Sequence, residues 1–367
     1  MRSMAICISG QARRWESCAT RLLELFPDAQ FFVSLWERRG IKRFGALNQG
    51  QLIRLFGPDA AFILNPDFQN EFLLQRVPAL KDVLLKEDEK AGMVTSSEVM
   101  ALIPNSICRI QKDSVLDCPP ALRDEISDGG HTAASDGNSV RTVWNWWQCD
   151  LLRRQEEYLR GKLFDLVLRV RPDLWIEHIN LPADVPPNVV CVPNLRNGAV
   201  DDQFAIANSE TMSSWCDGPS FLRPYFGRQN NWRNIHLALG NYANNAGIKL
   251  TRAPWKGRLN EDYLPISTLR AAAENSLQLL PEALRPETGV LALCLRSLEE
   301  ADELKSENYL KEAETLNPIS PSIYLTRALL YRRQKDERSF REAVGAAASR
   351  FSDKLHLRSD IQAILNA

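Results

Sequence analysis

The sequence has no run of about eighteen apolar residues, the length at which a helix begins to span a bilayer. It has no excess of charge either: 45 Lys and Arg face 46 Asp and Glu, a net charge of -1. That balance excludes a global electrostatic pull toward nucleic acid or an anionic membrane. The eight cysteines at 7, 18, 108, 118, 149, 191, 216 and 294 form no Cys-x-x-Cys pair and no zinc-ligand spacing. The opening Met1-Arg2-Ser3-Met4-Ala5-Ile6-Cys7-Ile8 is too short an apolar run for a secretory signal, and polar Gln11, Arg13 and Arg14 follow at once. Reduced, mostly buried thiols in a cytoplasmic protein are the expectation, with a Cys108–Cys118 disulfide as the alternative.

What the chain does have is length and apolar content. Its 367 residues are 44% hydrophobic, enough for a real core and, by length, for two domains. Up to about residue 260, strand-like and helix-like patterns alternate. Ala5–Gly10, Gln30–Trp36, Ala60–Leu64, Phe164–Val170, Val189–Val192 and Lys249–Thr251 read as strands. Arg14–Phe26 spaces Trp15, Ala19, Leu22, Leu23 and Phe26 as a helix does. Trp144–Leu159 does the same with Trp147, Leu151, Leu152, Gln155 and Tyr158. Alternation of this kind predicts an α/β domain on a mainly parallel sheet, with ligands beyond the carboxyl ends of the strands. Ser127–Ser139, rich in Gly and Ser, reads as a mobile loop.

From about Ser267 the pattern is helical. Pro318 and Ser352 stand 34 residues apart in similar contexts. Tyr324, Ala328, Tyr331 and Ala347 fall where a 34-residue tetratricopeptide unit wants aromatic and small residues. One unit earlier, Cys294 and Ala313 take the small positions. A tetratricopeptide-like module over 264–367, after a domain over 1–263, is one reading. An ordinary helical cap is the other.

The stretch Phe164-Asp165-Leu166-Val167-Leu168-Arg169-Val170-Arg171-Pro172-Asp173 carries the chemistry. A buried strand ends on Arg171 and Asp173, with Pro172 stiffening the turn between them. A guanidinium suits phosphate, and a carboxylate suits a metal or a ribose hydroxyl. An Arg–Asp ion pair closing the sheet is the structural alternative. Gly10 lets backbone approach a ligand at the end of the first strand, where Gln11 and Arg13 offer donors. Trp36 ends the second strand and suits either base stacking or the core. Asp201, Asp202 and Gln203 open a later apolar run. His236 is a candidate phosphate or acceptor contact, or a structural histidine.

In this order, "ICISGQARRW", "FFVSLW", "FDLVLRVRPDLWI" and "VDDQFAIAN" resemble GT-A-like bacterial glycosyltransferases of surface-polysaccharide synthesis, the WavE-type lipopolysaccharide enzymes and their relatives. The resemblance covers about residues 4–260. It implies a nucleotide-sugar donor (UDP-, GDP- or CMP-linked) and a saccharide or lipid-linked acceptor. Gly10, Gln11, Arg13, Trp36, Arg171, Asp173 and Gln203 would bind the donor, and Asp202 or Asp201 would act as base. The enzyme would be cytoplasmic, with the face of the inner membrane as the alternative location. Arg171 replaces the first Asp of the family's Asp-x-Asp, which leaves Asp173 alone for a divalent cation. No basic residue stands near Gln148, where relatives tend to have one, and no acidic residue stands near Ile235 or His236. Inverting and retaining chemistry both stay open. The reading from a different class is a degenerate GT-A-like domain serving as a scaffold, with a protein partner on the helical tail. A nucleotidyltransferase is a poorer match, since "SGQARR" is a weak imitation of a Gly-rich nucleotide loop.

Overall fold

A computed structural model describes residues 2–39, 49–64, 72–112, 133–217, 235–259 and 263–350. The chain divides into two compact units: Met1–Lys42 with Asp88–Asn260, and Arg43–Glu87 with Glu261–Ala367.

The first unit is built on a seven-stranded sheet. In chain order its strands are β1 (Met4–Gln11), β2 (Gln30–Trp36), β3 (Ile107–Gln111), β4 (Leu166–Val170), β6 (Val189–Val192), β9 (Phe204–Ala207) and β10 (Lys249–Arg252). They lie side by side as β3-β2-β1-β4-β9-β6-β10. Numbered within this sheet alone, the order is 3-2-1-4-6-5-7. Only β9 is reversed, running antiparallel to both β4 and β6. The expected α/β class with a mainly parallel sheet is what the structure has. Two short ribbons flank the sheet: β5 (Leu174–Ile179) with β11 (Trp255–Leu259), and β7 (Leu195–Arg196) with β8 (Ala199–Val200).

β1 and β4 are buried on both faces, which is why they read as nearly continuous apolar runs. On one face, Ile6, Ile8, Leu166, Leu168 and Val170 share a core with Trp15, Ala19 and Leu22 of α1 (Trp15–Leu25), with Val99 of α5 (Ser96–Leu102) and with β5. The other face, with Cys7, Phe32 and Val167, packs on three further helices. These are α6 (Ala133–Arg160), α7 (Ser209–Trp215) and α8 (Ile235–Asn245).

α6 departs from the stripe its sequence suggests. Of Trp147, Leu151, Leu152, Gln155 and Tyr158, only Leu152 is buried, and Tyr158 is 86% exposed. The buried face instead carries Trp146, Cys149, Asp150, Arg153 and Glu157. Arg153, fully enclosed, reaches Asp150 at 2.6 Å and Glu157 at 2.7 Å. It also donates to Ser213 Oγ at 2.7 Å and to Ser209 Oγ. Spacings of three and four put the three charges on one face, where Arg153 serves as counter-ion to both carboxylates inside the fold. An apolar periodicity cannot reveal a face held by ions. The Gly-rich loop expected at 127–139 is helical from Ala133 on, as the start of α6, and residues 127–132 lie outside the described residues.

The second unit is helical in its described residues. α2 (Gln49–Leu64), α3 (Phe72–Arg76) and most of α4 (Ala79–Lys90) belong to it, besides α9 (Ile266–Ser276) and α10 (Arg285–Glu299). α11 (Glu303–Leu316), α12 (Pro321–Arg333) and α13 (Glu337–Arg350) complete it. The third strand expected at Ala60–Leu64 is the last part of α2. Ala60, Ile63 and Leu64 are buried at helical spacing, and a short apolar run does not separate the two periods. The segment 43–87, expected within the first domain, belongs to the compact unit of the tail. Ser322 Oγ donates to Ile63 O at 2.9 Å, Thr288 Oγ1 to Arg76 O at 2.8 Å, and Arg332 pairs with Asp59 at 3.0 Å. Of the positions that define the repeat-like spacing, Cys294, Ala313, Ala328 and Ala347 are fully buried and Tyr324 and Tyr331 partly so, while Ser352 lies outside the described residues. α10 packs on α11 and α12 on α13, so the tail is a succession of helix pairs.

Seven cysteines are free thiols, and Cys118 lies outside the described residues. Among the described residues no helix is long and apolar enough to cross a membrane.

Candidate functional site

The chain reverses its direction of travel across the sheet at the β1/β4 junction. From β1 it adds β2 and β3 on one side, then returns to place β4 on the other. Loops leaving adjacent strands diverge there and open a crevice beyond their carboxyl ends. Ser9-Gly10-Gln11 ends β1 at this point, and Arg171-Pro172-Asp173 follows β4 beside it.

The two ends are fitted to each other. Gly10 has φ +144°, and a Cβ there would lie 2.9 Å from Pro172 Cδ. Only glycine lets the β1 turn sit against the Arg-Pro-Asp turn. Gly10→Ala is expected to lower the unfolding free energy by about 2 kcal/mol from backbone strain and overlap, measurable by urea denaturation. An unchanged midpoint would mean that the two turns are free to separate.

Arg171 donates to both oxygens of Asp173, from Nε at 2.9 Å and Nη2 at 2.8 Å. Its Nη1 lies 3.6 Å from Asp202 Oδ1. Burial pushes the Asp173 carboxyl up, but the Arg171 guanidinium, with Arg13 further off, holds it below the ordinary range. Burial opposes the charge on Arg171, yet Asp173 and Asp202 raise its pKa above the usual value. The ion pair weighed as the structural alternative is therefore present, and it has a third member from a distant part of the chain.

Asp201 and Asp202 arrive because β9 runs antiparallel to β4, so that the start of β9 meets the end of β4. Arg171 N donates to Gln203 O at 3.0 Å across this edge. Asp201 Oδ1 accepts from Gln203 N at 3.2 Å, a local turn contact. Burial, followed by the neighbouring charge of Asp202, pushes the Asp201 carboxyl up. His236 Nδ1 lies 2.8 Å from Val200 O and so tethers the chain just before the acidic pair. Gly240 serves the same docking of α8, since a Cβ there would lie 1.9 Å from Gly198 O.

Arg13 folds back on Gln11, its Nε donating to Gln11 Oε1 at 2.9 Å. Trp36 is only 6% exposed and lies in the core cluster beneath α6, with Arg141 Cζ 5.8 Å from its ring centroid. It takes the core role.

Three features escaped the sequence. Ser34, Gln111, Trp144 and Asn145 form a buried network under the strand ends. Gln111 Nε2 is 2.7 Å from Ser34 Oγ and 2.9 Å from Asn145 Oδ1, and Asn145 Nδ2 donates to Gly10 O at 3.2 Å. Arg109 of β3 donates to Gln148, so a guanidinium reaches the place where the local sequence has no basic residue. Arg169, buried to 1% exposure, lies under the acidic pair and donates to Asp202 O at 2.6 Å. Neither Arg109 nor Arg169 carries a local signal, because an arginine in a strand ordinarily faces solvent.

No family model matches the chain, and neither a curated protein nor a solved structure matches it. The site's own chemistry has to carry its interpretation. It gathers guanidinium groups, two adjacent carboxylates and a glycine turn at the crossover of a parallel sheet.

Proposed function

We propose that the first unit is a glycosyltransferase that moves a sugar from a nucleotide-sugar donor to a saccharide or other surface-polymer acceptor. The observation that carries this reading is the convergence at the β1/β4 crossover. The Gly10 turn with Gln11 and Arg13, the Arg171–Asp173 pair and Asp202 come from three separate stretches and meet at one crevice.

The division of labour follows from charge. Departure of a nucleoside diphosphate develops negative charge, and Arg171 and Arg13 are the cations at the strand ends that would meet it. Asp202 is the carboxylate best suited to take the acceptor's proton. The Asp201 carboxylate accepts from Gln203 N, whereas the Asp202 carboxylate has Arg171 Nη1 at 3.6 Å as its partner among the described residues. The donor set around Asp173 does not fit a divalent cation. Both its oxygens accept from Arg171, and no group of three His, Cys, Asp or Glu gathers among the described residues. A guanidinium in that place neutralises phosphate without a metal.

Thermal unfolding with UDP, GDP and CMP, each with and without Mn²⁺, tests the reading. One nucleotide at about 100 times its Kd stabilises by about 2.7 kcal/mol, a shift of several degrees. Arg171→Met should abolish that shift. No response to any nucleotide would overturn the transferase reading and leave a GT-A-like shell that binds a partner through its helical tail.

A further inference from the structure

Arg169 is an expensive residue to bury. It sits on β4, two positions before Arg171, between Cys7 of β1 and Ala205 of β9. It is 1% exposed, and its Cζ lies 4.0 Å from the centroid of the Trp146 ring. Of its five N–H bonds, one is seen to be used, from Nη2 to the main-chain oxygen of Asp202 at 2.6 Å. Among the described residues Nε and Nη1 have no partner. Desolvation draws its pKa down to about 10, so the group remains a cation at neutral pH. Packing gives no reason for it, since a methionine would fill a similar volume with no buried charge and no orphaned donors. What the charge does at this place is grip the chain at Asp202.

We propose that Arg169 is a positioning residue: it clamps the main chain at Asp202 from beneath, so that the carboxylate stands beside Arg171 at the crevice. Two arginines of one strand then hold one aspartate, Arg171 near its carboxylate and Arg169 at its carbonyl. Trp146 fixes the guanidinium plane from the α6 side through a cation–π contact. The clamp makes the direction of the Asp202 side chain independent of the loop before it. A carboxylate that must meet an incoming hydroxyl needs that independence, because small misplacements are costly in rate. The catalytic consequence rests on the proposed transferase reading, whereas the clamp itself does not.

The test uses full-length Arg169→Met and Arg169→Lys. Amide hydrogen exchange is read at Arg171, whose N–H is bonded to Gln203 O across this edge, at Gln203, whose N–H is bonded to Asp201 Oδ1 in the turn beside Asp202, and at Ile8 and Val33 as reference positions in the sheet. Arg169→Met should speed exchange at Arg171 and Gln203 by about tenfold, the equivalent of one charge-assisted hydrogen bond, with the reference amides unchanged. Arg169→Lys, which keeps a donor and a charge, should recover part of the protection. In turnover, Arg169→Met should lower kcat by about tenfold or more while nucleotide affinity stays within about twofold. Uniform acceleration across the sheet, no acceleration at the edge, or no difference between Met and Lys would each overturn the clamp. If the edge amides respond as expected and the wild type binds no nucleotide, the clamp stands and the transferase reading falls.

Discussion

Replacing Asp202 by alanine is expected to lower the rate of sugar transfer by about 100-fold or more while leaving nucleotide affinity within about twofold. A positioned general base contributes about 10²–10⁴-fold, and it acts on the acceptor's proton in the transition state. In the proposed reading, donor binding would draw on other groups: the Gly10 turn, Gln11, Arg13 and Arg171. The backbone is expected to stay in place, because Arg169 binds the carbonyl of residue 202, which alanine keeps. Arg171 also retains both its bonds to Asp173, so no cation is stranded. Steady-state kinetics with titration of the nucleotide alone separates the outcomes. Joint loss of binding and turnover would move Asp202 into the donor site. No loss of either would make it a surface partner of Arg171 and place the base elsewhere.

The largest expected effect on stability lies away from the crevice. Arg153→Met should destabilise the protein by about 3–5 kcal/mol at neutral pH, because it removes the shared counter-ion of two buried carboxylates. Asp150 is 2% exposed and Glu157 4%, and Arg153 is the cation paired with both. Burial already pushes the Asp150 carboxyl above its ordinary value, with Arg153 pulling the other way. Without Arg153, Asp150 rises further. A carboxyl whose folded pKa is raised contributes stability that is present below its unfolded pKa and is lost as pH rises through the folded one. The deficit of the variant should therefore be smaller at pH 5 than at pH 8, as measured by urea denaturation at both values. A deficit independent of pH would mean that the loss is one of packing around a missing side chain. A deficit below about 1 kcal/mol would mean that water reaches the carboxylates.

The site was partly legible because its residues sit at strand ends. Apolar runs at 4–11 and 166–170 that stop on Gly10 or on Arg171-Pro172-Asp173 announce both a strand and its polar terminus. Asp201 and Asp202 could be picked because they precede a fully buried run, Phe204–Ala207. Arg109 and Arg169 could not be found this way. One lies on an edge strand and the other inside the sheet, and nothing local distinguishes an arginine that faces water from one that supports an aspartate 33 residues on. Trp36 and the face of α6 show the same limit in reverse. Residue type leaves Trp36 open between stacking and the core, and spacing alone points to a different face of α6; in both, burial was decided by which helix covered which strand.

The sequence by itself determined the α/β class, the central strands β1, β2 and β4, and the helical character of the tail. It also marked Gly10, Arg171, Asp173 and Asp202 as residues at strand ends. These follow from periods of two and of about 3.6 and from turn chemistry, which act over a few residues. Only the tertiary structure decided that β9 runs antiparallel to β4 and so delivers Asp202 to Arg171. It alone joined residues 43–87 to the tail and buried Arg153 and Arg169 as working charges. The physical reason is that strand pairing and the partner of a buried charge depend on groups far apart in the chain, whose meeting no local pattern encodes.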